Sequence, residues 1–173
     1  MSTRSLPDIN LQLGDDVEAP DLPPAEEFAA WVSAALAAGR AQHQTGCVTV
    51  RIVSVAESGE LNKAYRDKSG PTNILAFPAG PALLPEEAAE PELGDLVVCL
   101  DVARQEAADQ GKALPQHLAH LTVHGSLHLL GHEHQDAAEA AQMEALEGRI
   151  LGSLGIPDPY QVTSEEPQKN GNN

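Results

Sequence analysis

Apolar and polar residues alternate towards the end of the run from Leu6 to Leu13, which predicts a half-buried first strand. A turn rich in Pro and Asp follows. Phe28, Trp31, Val32, Ala35 and Leu36 then recur at helical spacing, predicting a helix over 25–40. Glu26 and Glu27 sit in its first turn, where the helix dipole favours them, and Gly39 closes it. Cys47 to Val55 is β-branched and alternating, a second strand with Arg51 on its polar face. Ser58 to Lys68 reads as a short helix ended by Ser69-Gly70-Pro71, and Asn73 to Phe77 as a third strand stopped by Pro78. Residues 79–93, with three prolines and four glutamates, read as an exposed loop. Gly94 to Leu100 is a fourth strand, and Asp101 is placed to cap a helix running to about Gln110. Leu114-Pro115 opens a helix in which Leu118, Leu121, Leu127 and Leu130 repeat until Gly131 breaks the pattern. A last helix spans Asp136 to Leu154, and beyond Tyr160 the chain becomes a polar, frayed tail. Strands and helices intermixed with short connections predict a single layered domain over 1–160, α+β or α/β, with 161–173 as the tail.

Composition narrows this picture. A chain of 173 residues is long enough for one sizeable core, and with 3% aromatics that core is built from Leu, Val, Ile and Ala. Tyr65 therefore reads as core, with base stacking as its other reading. Ten Lys+Arg against 26 Asp+Glu give a formal charge of −16, so the mean field repels polyanions and rules out broad electrostatic wrapping of nucleic acid or anionic membrane. Met1 to Asp8 carries no signal-peptide core, and no stretch approaches the roughly 18 apolar residues of a spanning helix. Cys47 and Cys99 each lie inside an apolar run and read as buried thiols of a reduced, cytoplasmic protein. Neither a GxxxxGK[ST] loop nor a GxGxxG fingerprint is present to support nucleotide binding.

Six of the seven histidines fall within eighteen residues: His117, His120, His124, His128, His132 and His134. His124 and His128 are one helical turn apart, so both imidazoles share a face and one ion. Gly131 permits a backbone turn that a Cβ resists, and that turn can bring His134 round as the third ligand, with His132 in the same turn as the other reading. Three neutral nitrogens with one vacant position are what a catalytic zinc site requires; a structural site is closed by a fourth ligand. His120 continues the stripe, but a straight helix cannot aim three successive turns at one ion. His117 and His120 therefore read as supporting or surface residues. The spacing HxxxHxxGxxH matches that of metzincin proteases, whose residue after the first histidine is the glutamate that acts as general base. Here that residue is Gly125, so peptidase chemistry lacks its proton acceptor.

Lys63, Arg66 and Lys68 form the only dense basic cluster of the sequence. Arg66 is the candidate for gripping a phosphate, since its planar fork bonds two oxygens. The other reading is an ordinary solvated helix face.

Leu61-Asn62-x-x-Tyr65-Arg66, Pro71-Thr72-Asn73-Ile-Leu-Ala-Phe77-Pro78, Leu93-Gly94-Asp95-Leu-Val-Val and His124-Gly-Ser-Leu-His128-Leu-Leu-Gly131-x-x-His134 together resemble the YbeY family of bacterial metal-dependent endoribonucleases. Met143-Glu144-x-Leu146-Glu147 and Leu154-Gly-Ile-Pro-Asp-Pro-Tyr160 fit as well. The likeness covers most of 6–160; His132-Glu133 and Ala76 depart from the family's usual Tyr-Asp and Ser. The resemblance implies a compact α+β fold, with a small mixed sheet packed by about five helices and a zincin-like metal-binding helix. It implies one Zn2+ on His124, His128 and His134, with His124 and Arg66 as catalytic residues. It also implies cleavage of single-stranded rRNA, in 16S 3′-end maturation and ribosome quality control. The implied partners are the small ribosomal subunit and its assembly factors, among them a small-subunit protein and a ribosome-associated GTPase, with no membrane. A zinc hydrolase of a small substrate and a non-catalytic assembly factor with structural zinc are the alternatives.

Overall fold

Alternation of β-branched residues sorts the strands onto two faces of one four-stranded sheet. The computed structural model describes residues 8–39, 47–78, 92–131 and 136–160. Its strands are β1 (Asp8–Leu13), β2 (Cys47–Val53), β3 (Ile74–Pro78) and β4 (Glu92–Cys99), in the spatial order β1-β2-β4-β3. β1 runs parallel to β2 and β2 to β4, whereas β3 pairs antiparallel with β4, so the sheet is mixed. Five helices accompany it among the described residues: α1 (Ala25–Ala38), α2 (Val55–Arg66), α3 (Leu100–Gln110), α4 (Leu114–Leu129) and α5 (Ala137–Ser153). This is a single compact α+β domain. None of the helices is long and apolar enough to cross a membrane.

The period of two is clean. Val48, Val50, Ile52, Ile74, Leu96 and Val98 face the main core with Phe28 and Leu36 of α1, Leu118 and Leu127 of α4, and Ile150 and Leu151 of α5. The intervening Val53, Leu75, Val97 and Cys99 face a smaller cluster with Leu61 of α2, Phe77 and Val102 of α3. Leu36, Leu96, Leu118 and Leu127 are fully buried, each contributing about 1.5–3 kcal/mol relative to exposure. Helix α4 packs directly on β3 and β4. A Cβ on Gly125 would stand 2.8 Å from Leu96 Cδ2 and 2.9 Å from Ile74 Cδ1. The position after His124 therefore faces the sheet and has no room for an acid.

Several boundaries differ from the sequence expectations, among them the end of β2 at Val53 rather than Val55 and the end of α2 at Arg66 rather than Lys68. Helix α2 begins at Val55 rather than Ser58, because β2 loses its partner at the Val53–Cys99 pair and Ser54 then caps, its hydroxyl accepting from the Glu57 N–H at 3.2 Å. Helix α3 begins at Leu100, so Asp101 lies inside the first turn and accepts from Arg104 Nη1 at 2.9 Å instead of capping. Strand β4 starts at Glu92, taking the end of the expected loop; 79–91 and the tail 161–173 lie outside the described residues.

Candidate metal centre

One turn of α4 separates His124 from His128, and the two Nε2 atoms stand 3.2 Å apart. Two nitrogens at zinc–nitrogen distance on a tetrahedral ion would be about 3.3–3.4 Å apart, so the pair already has the spacing of one tetrahedral edge. The helix stops at Leu129, and Gly131 takes φ +95°, a left-handed turn that a Cβ disfavours. His134, expected as the third ligand, lies outside the described residues, as do His132 and Glu133.

The tautomer of His124 is set from α5. Glu147 is fully buried on the stripe formed by Met143, Ile150 and Leu151. Its Oε2 accepts from His124 Nδ1 at 2.5 Å, and its Oε1 accepts from the Tyr160 hydroxyl at 2.6 Å. His120 Nε2 stands 3.2 Å from the same Oε1 and 3.0 Å from the Tyr160 hydroxyl. Burial alone would raise the Glu147 pKa, but the hydrogen bonds from His120, His124 and Tyr160 outweigh it and hold the carboxyl at about 2. An ionised carboxylate only accepts, so His124 Nδ1 carries a proton, and Nε2 is the ring atom turned towards His128. A carboxylate behind a metal-binding histidine fixes ring orientation and raises ligand basicity. The donor set fits zinc, which imidazole nitrogen suits. Sequence reasoning gave Glu147 no role, although an acid among three buried apolar positions of one helix face is the signal that marks it.

Arg66, at the end of α2, reaches the same cleft from a segment far from α4 in sequence. The cleft, of about 780 Å³, is lined by His120, His124 and His128 together with Arg66, Thr72 and Asn73. Polar contacts on the inner side of α2 bend the following loop back on the helix. Asn62 Nδ2 donates to the Gly70 carbonyl at 2.9 Å, and the Ser58 hydroxyl bonds the Thr72 carbonyl and N–H, both at 3.0 Å. Asp67 caps α2 in the left-handed region at φ 56°. The basic cluster separates here. Arg66 lines the cleft, whereas Lys63 pairs with Asp67 at 3.0 Å in an exposed contact, and Lys68 is exposed away from that lining.

Two further residues fall differently from expectation or outside it. Tyr65 is not core: it is 67% exposed on the cleft lining, where its ring meets Phe77 at a centroid distance of 5.2 Å. His117 is buried against Glu106 at 2.8 Å, and Glu106 also accepts from Asn73 Nδ2 at 3.1 Å. Burial outweighs that carboxylate and lowers the His117 pKa below its ordinary value.

Fold and site thus define a mixed-sheet α+β domain with a carboxylate-backed histidine pair in an arginine-bearing cleft. The family model described as Endoribonuclease YbeY matches residues 15–155. A relative named Endoribonuclease YbeY from Alcanivorax borkumensis is 46% identical over 164 residues, covering 94% of this chain and 91% of its own. A relative of the same name from Halorhodospira halophila is 52% identical over 140 residues, covering 80% and 88%. The solution structure of TM1509 from Thermotoga maritima shares the fold, with a TM-score of 0.50 and 20% identity over 89% of this chain and 99% of that one. The chain belongs to the endoribonuclease YbeY family.

Proposed function

We propose that this protein is a zinc-dependent endoribonuclease of single-stranded RNA. Its proposed task is the 3′-end maturation of 16S rRNA and ribosome quality control in the cytoplasm, with the small ribosomal subunit and its assembly factors as partners. The proposed hydrolase domain is residues 1–160. The observation that carries the reading is the convergence of His124 Nε2 and His128 Nε2, backed by Glu147, in one cleft with Arg66. Membership of the family supports it.

His124, His128 and His134 would hold the ion. When bound, zinc supplies Lewis acidity towards a phosphoryl oxygen. The chain's own contribution is positioning and charge. Glu147 keeps the proton of His124 on Nδ1, away from the cleft. Arg66 bonds the phosphate through two guanidinium N–H groups and offsets the charge that builds on it in the transition state. Gly125, pressed against Leu96 and Ile74, leaves no carboxylate where a metzincin carries its base, which argues against peptide hydrolysis.

The test uses one defined RNA, single-stranded and annealed to its complement, with the zinc-loaded protein and its Arg66→Ala variant. The wild type is expected to cut the single strand and spare the duplex. Arg66→Ala is expected to lower kcat/KM by about 10²-fold or more with an unchanged circular dichroism spectrum. Equal cleavage by both proteins would remove Arg66 from the reaction, and equal cleavage of both RNAs would remove the strand preference.

A further inference from the structure

The chain has two tyrosines, and both line the cleft that holds His124, His128 and Arg66. Tyr65 and Tyr160 are 67% and 39% exposed, and they are two of the four exposed large apolar residues among the described ones. Their situations differ. The Tyr160 hydroxyl donates to Glu147, and its ring stands edge-to-face with His120 at 5.4 Å, so it braces the histidine side of the cleft. Tyr65 meets Phe77 in a T-shaped contact at an interplanar angle of 69°. Such a contact occupies one edge or one face of a ring. At 67% exposure, at least one face of Tyr65 therefore stays open. Phe77 also steadies that ring, which leaves less side-chain freedom to lose when another ring lies on it.

The charge of the chain says what that open face is for. At −16, the protein gains little from broad counterion release, and Arg66 is the member of the basic cluster that lines the cleft. Beyond the phosphate held by Arg66 and the ion, affinity for a nucleic-acid strand then comes from uncharged contacts in the cleft. Tyr65 is its chain neighbour. Every nucleobase has a π-face, and stacking on an aromatic side chain is tolerant of sequence.

We infer that Tyr65 is the stacking platform for one unpaired nucleobase beside the phosphate gripped by Arg66. It selects single strands because a base inside a duplex is covered on both faces by its neighbours. This deepens the endoribonuclease reading above and rests on it.

The probe is a labelled oligoadenylate dodecamer, with a matched series in which each nucleotide in turn is abasic, cut by the zinc-loaded full chain. Tyr65→Ala is expected to raise KM by roughly 5- to 150-fold with kcat within about twofold, and Tyr65→Phe to restore most of the loss. One abasic position should raise the wild-type KM by a similar factor and have no further effect in Tyr65→Ala. The wild-type dependence of log(1/KM) on log salt should be shallow, with a slope of about −0.7 to −1.4 for one or two phosphate contacts. A folded Tyr65→Ala variant with wild-type KM overturns the inference, as does a wild type indifferent to every abasic position. A wild type that cuts no RNA overturns the endoribonuclease reading and this inference with it. Cleavage that persists without dependence on Tyr65 overturns this inference alone.

Discussion

Exchanging Glu147 for glutamine is expected to weaken zinc binding by about 10- to 100-fold. The carboxylate has two acceptor oxygens, and both are in use: Oε2 towards His124 Nδ1, Oε1 towards the Tyr160 hydroxyl and His120 Nε2. Glutamine has one acceptor and one donor end. With its oxygen towards Tyr160, its NH2 faces His124 Nδ1, which must then accept; the proton of that ring moves to Nε2, the atom that should bind metal. With the amide reversed, the tautomer survives, but the Tyr160 hydroxyl loses its acceptor and the ligand loses the basicity a full charge provides. Either way the site is weakened without touching a ligand. Glu147→Ala goes further, leaving His124 Nδ1 and the Tyr160 hydroxyl without their acceptor at a cost of about 1–3 kcal/mol. Competition of the glutamine variant against a chelator of known affinity reads the effect. Wild-type zinc affinity in a folded glutamine variant would remove Glu147 from the site.

Gly94→Ala is the substitution expected to cost most stability for a single added methyl, about 2–5 kcal/mol in urea denaturation. Gly94 sits at φ +143° opposite Pro78, where β4 carries one extra residue relative to β2. A Cβ there would run into the Phe77 carbonyl oxygen and would come within 2.7 Å of Leu129 Cδ2. The carbonyl is backbone, paired in the sheet, and cannot swing aside. Gly111→Ala is the control: it shares a positive φ of +68° but has open space around it, so it carries backbone strain alone, about 1 kcal/mol. The difference between the two variants isolates the clash. If both cost about 1 kcal/mol, the close approach of β3 and β4 at this point is wrong.

Most of the architecture was legible because it follows from local periodicity. β3 and β4 alternate between two clusters, and β2 turns Val48, Val50 and Ile52 to the main one as their pattern predicts; the histidine pair follows from helical spacing alone. The order β1-β2-β4-β3 did not follow from such patterns, since pairing joins segments far apart in sequence. The site residues that were missed or misread share one cause. Glu147 acquires its role only when α5 brings a polar residue of its apolar stripe against α4. Tyr65 looked like core because aromatics are scarce, yet α2 buries Ser58 and Asn62 instead, and those two polar residues fasten the loop that borders the cleft. Composition gives no hint of a helix whose inner face is polar. The net charge is equally local in its consequences: −16 describes the whole chain, whereas Arg66 stands in one cleft with the histidine pair.

The proposed dependence of RNA cleavage on one ion at the α4 histidines is decided by zinc titration of metal-free protein. Cleavage of a defined single-stranded RNA is expected to be absent after chelation, to rise linearly with added zinc and to level off at one equivalent per chain. His124→Ala should stay flat across the same titration. Cleavage that survives chelation, or that rises equally in His124→Ala, would remove the ion from the reaction.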